Sequence, residues 1–560
     1  MAGDFELLQA LNKTKEGMWL ERSSWLGQWR DISDYLLPRA GRYFVSDRDK
    51  GWQRNQLIID STGTRALRVL AAGMMSGMTS PSRPWFRLSI SDQGLRDRPE
   101  VKQWLSVSTT AIEDALARSN AYRVLHGLYE ELGAFGTGAA LIAEDYRDTV
   151  HLFPFTVGEY AIATDWKGEV VSLFREFDKT VGEVVTEFGL AQCSSWVQSA
   201  YRMGDLHLWV TLRHGIEPRK VRAVGKRDAR NMPWRSCYWE VGRGDGKLLR
   251  ESGYRSFPCV APRWATQGGD IYGNSPGMEA LGDIKQLQQE QLRKSQAIDY
   301  QAWPPLQVPA SMKSRDVQIF PGGISYYDAA GPAQGIKTAF EVQLDLRALL
   351  EDVQDVRGRI NSAFYADMFL LISQQPANGA MTATEVTERY QEKMLMLGPV
   401  VERLNNELLD PLVSTVFERL LLAGQLPPAP PVLQGHELNI EYVSMLAQAQ
   451  QAVAVNGIDR FVHSLGEIAA VKPEVLDRFN ADSWVDVYSD KLGVDPELIV
   501  SGKQLALLRL GRERQAQMAQ RNAVLGQAAE MAAKVGGLST EPGTVSGAAA
   551  AGLPSLSGGY

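Results

Sequence analysis

Three glycines, Gly133, Gly136 and Gly138, lie where a helix gives way to a strand. Glycines at such a junction can cradle a phosphate on backbone N–H groups. Their spacing fits no phosphate loop, however, and no lysine follows. Close packing of the helix end on the strand is the better reading. The stretch Gly242-Arg-Gly-Asp-Gly246-Lys-Leu248 resembles the tail of a nucleotide-binding loop, but it lacks the earlier glycine and a hydroxyl residue after Lys247. It is flanked by strand-like runs at 236–241 and 247–252, so it reads as a hairpin turn. The Arg243-Gly244-Asp245 triplet carries no argument. Glu351, Asp352 and Asp355 are close enough on one helix to suggest acid–base chemistry, yet such acidic faces are ordinarily polar surface. The cysteines Cys193, Cys237 and Cys259 have no CxxC spacing. They imply a reduced, cytosolic setting and no disulfide framework. The histidines show no HExxH or other paired metal spacing. No catalytic residue, metal or cofactor is expected, and the chain reads as a protein that is not an enzyme.

The elements say more than the candidate sites do. Pro276–Ala302 has no internal proline after its first residue and ends against Trp303-Pro304-Pro305. At 27 residues it would be a rod roughly 40 Å long. About 36 residues rich in Pro and Gly follow, too few for a domain by the usual size range. A second helix is expected over 339–372. Its apolar residues Val342, Leu346, Leu349, Val353, Val356, Ile360 and Ala363 recur at alternating spacings of four and three, which is one helical stripe. Two rods joined by a small cap make a strut. The stripe on such a strut is expected to lack cover in a single chain, and copies standing side by side in a ring would supply it.

Residues 1–275 read as a mixed α/β region and the remainder as mostly helical. Helices are expected over 20–37, with Trp25, Trp29, Ile32 and Leu36 on one face and Pro38 as the stop, and over 56–78, 101–119 and 122–132. Residues 150–177 read as strands with a turn at 164–168, and Leu206–Arg213 alternates. A further helix is expected from Thr382, where Thr382 and Glu385 form a capping-box pattern. Its stripe is Tyr390, Met394, Leu397, Val401, Leu404 and Leu408, with kinks at Pro399 and Pro411. Gln425–Pro431 reads as a linker, 441–500 as short helices, 503–535 as a strong helix, and 536–560 as disordered. The acidic-amphipathic first 17 residues read as no signal peptide. No apolar run approaches the 18 residues of a membrane span. The net charge of −7 argues against a generally basic protein that coats nucleic acid.

Five separated blocks, in order, then resemble a known family: SGMTSPSRPWFRL (76–88), GAFGTGAALIAED (133–145), FREFDKTVGEVVTEFG (174–189), YGNSPGMEALGDIKQL (272–287) and MTATEVTERYQEKMLMLGPVVERLNNELLDPLV (381–413). They resemble the head-to-tail connector, or portal, proteins of short-tailed bacteriophages. The resemblance spans roughly residues 20–510. It implies an α+β, mainly α, portal fold assembled as a ring of about twelve copies at one capsid vertex. It divides the chain into an α/β wing (1–275), a first stem helix (276–302), a clip (303–338), a second stem helix (339–371), a tunnel loop (372–381), a wing helix and linker (382–435), and a helical crown with a C-terminal helix (436–535), before the tail 536–560.

The implied function is the channel for DNA packaging and ejection and the attachment site for the tail. The implied partners are double-stranded DNA, a separate terminase motor, capsid and scaffold proteins, and tail adaptor proteins. No membrane is involved. The expected location is the virion, after assembly in the host cytoplasm. The tunnel-loop residues Gln374, Gln375, Asn378 and Gly379 would face DNA with neutral hydrogen-bonding groups and no cation to grip phosphates. Six acids against three arginines over 341–367 would repel DNA on that side, unless those charges pair between subunits. Trp303, Ile319, Phe320, Tyr326 and Tyr327 are the expected clip contacts. Two other classes are a cytosolic helical scaffold or adaptor without a DNA channel, and an enzyme whose site is assembled from scattered residues. A closed ring with an axial pore excludes the first, and bound nucleotide or metal would favour the second.

Overall fold

The computed structural model describes residues 2–42, 55–303 (apart from 97, 227 and 242–246), 306–307, 337–338, 346–373, 396–443 (apart from 434), 461–469, 472, 474, 479–492, 500 and 502–536. The chain divides into two compact units, Met1–Ser464 and Leu465–Tyr560.

The first unit opens with α1 (Ala2–Arg22) and α2 (Leu26–Tyr35), separated by a tight turn at Ser23–Trp25. A single helix over 20–37 was the expectation. The Ser23 and Ser24 hydroxyls instead bond back to the Leu20 and Glu21 carbonyls, and serines of this kind compete with the helical ladder. Trp29, Ile32 and Leu36 are buried as the stripe requires. The next helix, α3 (Thr62–Met78), starts six residues later than expected. Asp60 Oδ1 accepts from Thr62 N at 2.9 Å, and a short tight turn occupies Asn55–Leu57.

After β1 (Phe86–Ile90) come α4 (Gln93–Arg96), α5 (Pro99–Arg118) and α6 (Ala121–Phe135). Then follow β2 (Ala139–Asp145), β3 (Thr149–Phe155), β4 (Tyr160–Thr164) and β5 (Val170–Thr180). The β4–β5 turn is the expected one: Asp165 Oδ1 accepts from the backbone of Lys167 and Glu169, and Gly168 takes φ +84°. Next are α7 (Val181–Phe188), with a full capping box from Thr180 and Glu183, and α8 (Ser195–Met203), capped by Ser194. The strands β6 (Trp209–Pro218), β7 (Trp234–Glu240), β8 (Leu248–Tyr254) and β9 (Cys259–Val260) complete this region. β7 and β8 pair antiparallel, as the hairpin reading expects, and Gly242–Gly246 between them lie outside the described residues. One antiparallel sheet has the order β4-β5-β6-β7-β8 and another the order β3-β2-β9.

The strut follows as α9 (Pro276–Glu279) and α10 (Leu281–Ala302), the paired β10 (Leu306–Gln307) and β11 (Lys337–Thr338), then α11 (Leu346–Ala363) and α12 (Ala366–Ser373). The helix Gly398–Leu404 runs through a π-helical turn, Asn405–Leu409, into the helix Asp410–Leu422. Pro399 and Pro411 each occupy a first-turn position, where the missing N–H costs nothing, and the irregularity falls between them. After these helices, β12 (Leu438–Tyr442) pairs antiparallel with β1, Phe86 opposite Tyr442.

Several expectations are corrected here. The second rod is not one helix over 339–371. Tyr365 adopts φ +55° and breaks it between α11 and α12. Ile372 and Ser373, placed in the tunnel loop, belong to α12. A helical crown starting at 436 is contradicted by β12, which is a strand of the sheet edge closed by β1. The lower part of the expected stripe does not lack cover: Val353, Val356 and Ile360 are buried in the same core as Ile284 and Leu287 of α10, Leu349 is half-buried, and Val342 lies outside the described residues. That part of the stripe therefore does not by itself demand neighbouring copies.

The second unit contains the helices Ala481–Leu492 and Gly502–Gly536. Arg509 grips both oxygens of Asp482 at 2.7 and 2.6 Å. Among the described residues no helix is long and apolar enough to cross a membrane. The three cysteines are buried and free.

Candidate functional site: the base of the strut

Two of the resembling blocks interlock to start the strut. Gly136 ends α6 with φ +76°, and a Cβ there would stand 2.1 Å from the Gly273 carbonyl oxygen. Gly273 N donates to Thr137 Oγ1 at 2.9 Å, and Trp264 N donates to Gly136 O at 2.8 Å. Ser275 caps α9 by accepting from Met278 N, and its hydroxyl donates to Ala134 O at 2.7 Å. The 133–138 glycines thus serve close backbone packing, as the sequence suggested, and the strut grows from that contact.

One polar node then joins both rods to the wing. Gln288 of α10 is buried. Its Oε1 accepts from the backbone N–H groups of Ile59 and Asp60, both at 2.7 Å, and its Nε2 donates to Asp60 O at 2.9 Å. Arg357 of α11 donates to Asp60 Oδ2 from Nη2 at 2.7 Å and Nε at 3.2 Å, and Gln291 Nε2 adds a third bond at 3.2 Å. Burial pushes the Asp60 carboxyl up, but hydrogen bonds from Thr62 and Arg357 outweigh it and hold the group below the usual carboxylate range. Deeper along the pair, Arg359 bridges Asp283 of α10 (3.3 Å) and Asp355 of its own helix (3.2 Å). These contacts fix α10 and α11 as antiparallel.

The same contacts revise the charge reading. Arg357 and Arg359 pair within the chain. The described helix α11 itself carries three acids and three arginines, so it is neutral as a whole. Glu351 and Asp352 are exposed on it and make no hydrogen bond or ion pair among the described residues.

Beyond the strut, α12 leads straight to the expected channel loop. Met368 and Phe369 bury it against α3, where a Cβ on Gly73 would stand 2.2 Å from the Phe369 ring. Tyr365 sits beside Trp264, ring centroids 6.4 Å apart, at the strained break. On the far side of the loop Leu397 is fully buried. A second buried node holds that helix: Arg263 donates to Glu407 from Nη2 at 2.6 Å and Nε at 3.2 Å, and to Gly168 O at 2.7 Å. Glu407 lies in the π-helical turn.

Of the expected site residues, Trp303 caps the end of α10 and is 63% exposed. Ile319, Phe320, Tyr326 and Tyr327 of the clip, and Gln374, Gln375, Asn378 and Gly379 of the tunnel loop, lie outside the described residues. Gln288, Arg263 and Glu407 escaped the sequence reading. Only Asp60 had a local signal, as an Asp two residues ahead of a helix-starting Thr. Among the described residues no cluster of His, Cys, Asp or Glu could hold a metal.

The family described as bacteriophage head to tail connecting protein matches residues 8–500, and the chain belongs to it. It is 57% identical over 520 residues to a probable portal protein of Bordetella phage BPP-1, covering 93% of this chain and 94% of that one. It is 42% identical over 515 residues to the portal protein of Salmonella phage epsilon15, covering 92% of each. A solved structure, the neck of an empty GTA particle computed with C6 symmetry, aligns over 78% of this chain and 91% of that one at 12% identity with a TM-score of 0.37, too low to bear on function.

Proposed function

We propose that this chain is the subunit of a portal ring of about twelve copies at one capsid vertex, forming the channel for DNA packaging and ejection and the seat of the tail. The observation that carries the reading is the near full-length likeness to two phage portal proteins. In this reading α10 and α11 are the stem, 303–338 is the clip and 374–381 the tunnel loop, with α12 as its fixed root. Exposed Trp303 at the tip of α10 fits a clip that meets neighbours and the tail adaptor. Capsid and scaffold proteins would meet the wing. Packaging force would come from a separate terminase ATPase, and the portal itself would do no catalysis. A scaffold or adaptor without a channel is not favoured by those relatives.

Purified protein should form closed rings with an axial pore in electron micrographs. Twelve copies of a 62.0 kDa chain come to about 744 kDa by mass photometry. Rings one subunit larger or smaller agree with the proposal. Monomers and dimers alone at micromolar concentration would overturn it.

A further inference from the structure

The loop between β6 and β7 is the most basic stretch of an acidic chain. Residues 219–230 hold six cations (Arg219, Lys220, Arg222, Lys226, Arg227 and Arg230) against one acid, Asp228, while the whole chain carries −7.

The loop is built rather than slack. Arg219 anchors its root on Glu251 at 2.7 Å, and Arg219 N bonds Pro233 O at 2.7 Å. Asn231 closes the arch: its Oδ1 accepts from Ala223 N, and its Nδ2 donates to Asp228 Oδ1 at 2.6 Å. Lys226 N bonds Ala223 O, and Gly253 of β8 lies directly under Ala229, where a Cβ would come within 2.3 Å of its carbonyl oxygen.

On this frame Lys220, Arg222, Lys226 and Arg230 are all exposed. Lys220, Arg222 and Arg230 make no hydrogen bond or ion pair among the described residues, and Asp228, the acid of the arch, is bonded by Asn231. The register puts the β4–β5 turn at the same end of the sheet, since Thr164 pairs with Val170, Leu173 with Ile216, and Pro218 with Trp234. Exposed Lys167 therefore joins the same edge. Glu169 is the exposed acid there, and the nearby Glu217 and Glu251 are paired with Arg235 and Arg219.

Pairing five cations with acids elsewhere on the chain would have neutralised this edge. Instead four are held out along a hydrogen-bonded arch and Lys167 on the turn beside it. We infer that the 219–230 arch is a docking surface for the phosphate backbone of duplex DNA, apart from the channel and without sequence preference. The inference takes from the portal reading only that duplex DNA is at hand. Affinity from such contacts comes from counterion release and falls steeply with salt.

The test uses the full-length protein and a labelled duplex of about 30 base pairs, long enough for three turns of helix. Anisotropy is followed across a salt titration, with ring mass and melting temperature as controls. Each phosphate contact contributes about 0.9 to the slope of log affinity against log salt. Replacing Lys220, Arg222, Lys226 and Arg230 together by Ala should lower that slope by about 3–4 and weaken binding at least about tenfold at 0.1 M salt. The milder pair Lys220→Gln with Arg222→Gln should lower it by about 2. Lys220→Arg with Lys226→Arg, which keeps the charge, should leave binding unchanged. Intact rings whose binding and salt slope match the wild type in both neutralised variants would overturn the inference while leaving the portal reading untouched. Displacement of the duplex by polyglutamate as readily as by unlabelled duplex would also overturn it, in favour of an acidic polypeptide partner.

Discussion

Arg357 and Asp60, 297 positions apart, meet through two donors on a single carboxylate oxygen. That contact ties the second strut helix to the N-terminal end of α3, and Gln288 ties the first strut helix to the same spot. The strut is therefore braced at its base inside one chain, and both rods should move with the wing as a unit.

Breaking the brace should loosen the strut before it unfolds the wing. Gln288→Ala leaves the Ile59 and Asp60 N–H groups, which are only partly buried, without their acceptor, at about 0.5–1.5 kcal/mol for each hydrogen bond lost. Arg357→Ala leaves Asp60 with one cation fewer and should cost about 1–3 kcal/mol, less than a fully buried pair because the arginine is partly exposed. Hydrogen exchange should rise first in 281–302 and 346–363. If it rises equally in β4–β8, the node is a general core contact and not a brace.

Gly73 should resist any side chain. A Cβ there meets the Phe369 ring well inside van der Waals contact, so Gly73→Ala should cost about 1–3 kcal/mol through overpacking. The strain would fall on α12, the root of the proposed channel loop. Phe369→Leu in the same chain should recover part of the loss. A double-mutant cycle on the denaturation midpoints reads this out, and strictly additive effects would show that the two residues do not press on each other.

Glu407→Ala should be among the most damaging single changes outside the apolar core. Arg263 is only 5% exposed, and losing its carboxylate partner strands a buried charge, at about 3–5 kcal/mol. Glu407→Gln keeps two acceptor contacts and should cost less. Thermal melts of the three proteins should rank wild type, then Gln, then Ala.

His214 should make the wing sheet acid-sensitive. It is fully buried, stacked on Tyr238, with Nδ1 accepting from Arg175 Nε and Nε2 left to donate to Ser236 Oγ at 2.9 Å. Burial first, then the charges of Arg175 and Arg250, hold its pKa well below the ordinary value. The unfolded chain takes up a proton below about pH 6.5 and the folded one does not, so stability falls as pH drops from there, by at most about 1.4 kcal/mol per pH unit. His214→Gln should flatten the fall in melting temperature between pH 6.5 and 5. An unchanged profile would place the acid sensitivity on other groups.

Shortening the loop that follows α12, within 374–380, should permit ring assembly and impair DNA packaging or retention. The nearest residues described as buried on either side of it, Phe369 and Leu397, lie in the same core. Failure to assemble would make the loop structural, and normal packaging and retention would make it dispensable.

The sequence by itself determined what depends on near neighbours. The 236–252 strand pair and the 164–168 turn follow from alternation and from Asp and Gly at turn positions. The long α10 follows from a proline-free run with a stop at its end. The stripe on α11 was legible too, but its partner was not. Periodicity shows which face is apolar and says nothing about what covers it, and the cover proved to be α10 and the wing core of the same chain. Only the tertiary structure could decide the rest, because the interacting groups are distant in sequence. β12 is a strand because β1, some 350 positions earlier, offers it an edge. Asp60, Gln288 and Arg357 become one node only when three separate helices converge. Tyr365 takes a left-handed backbone that no local signal announces, held there by packing on both sides of the break.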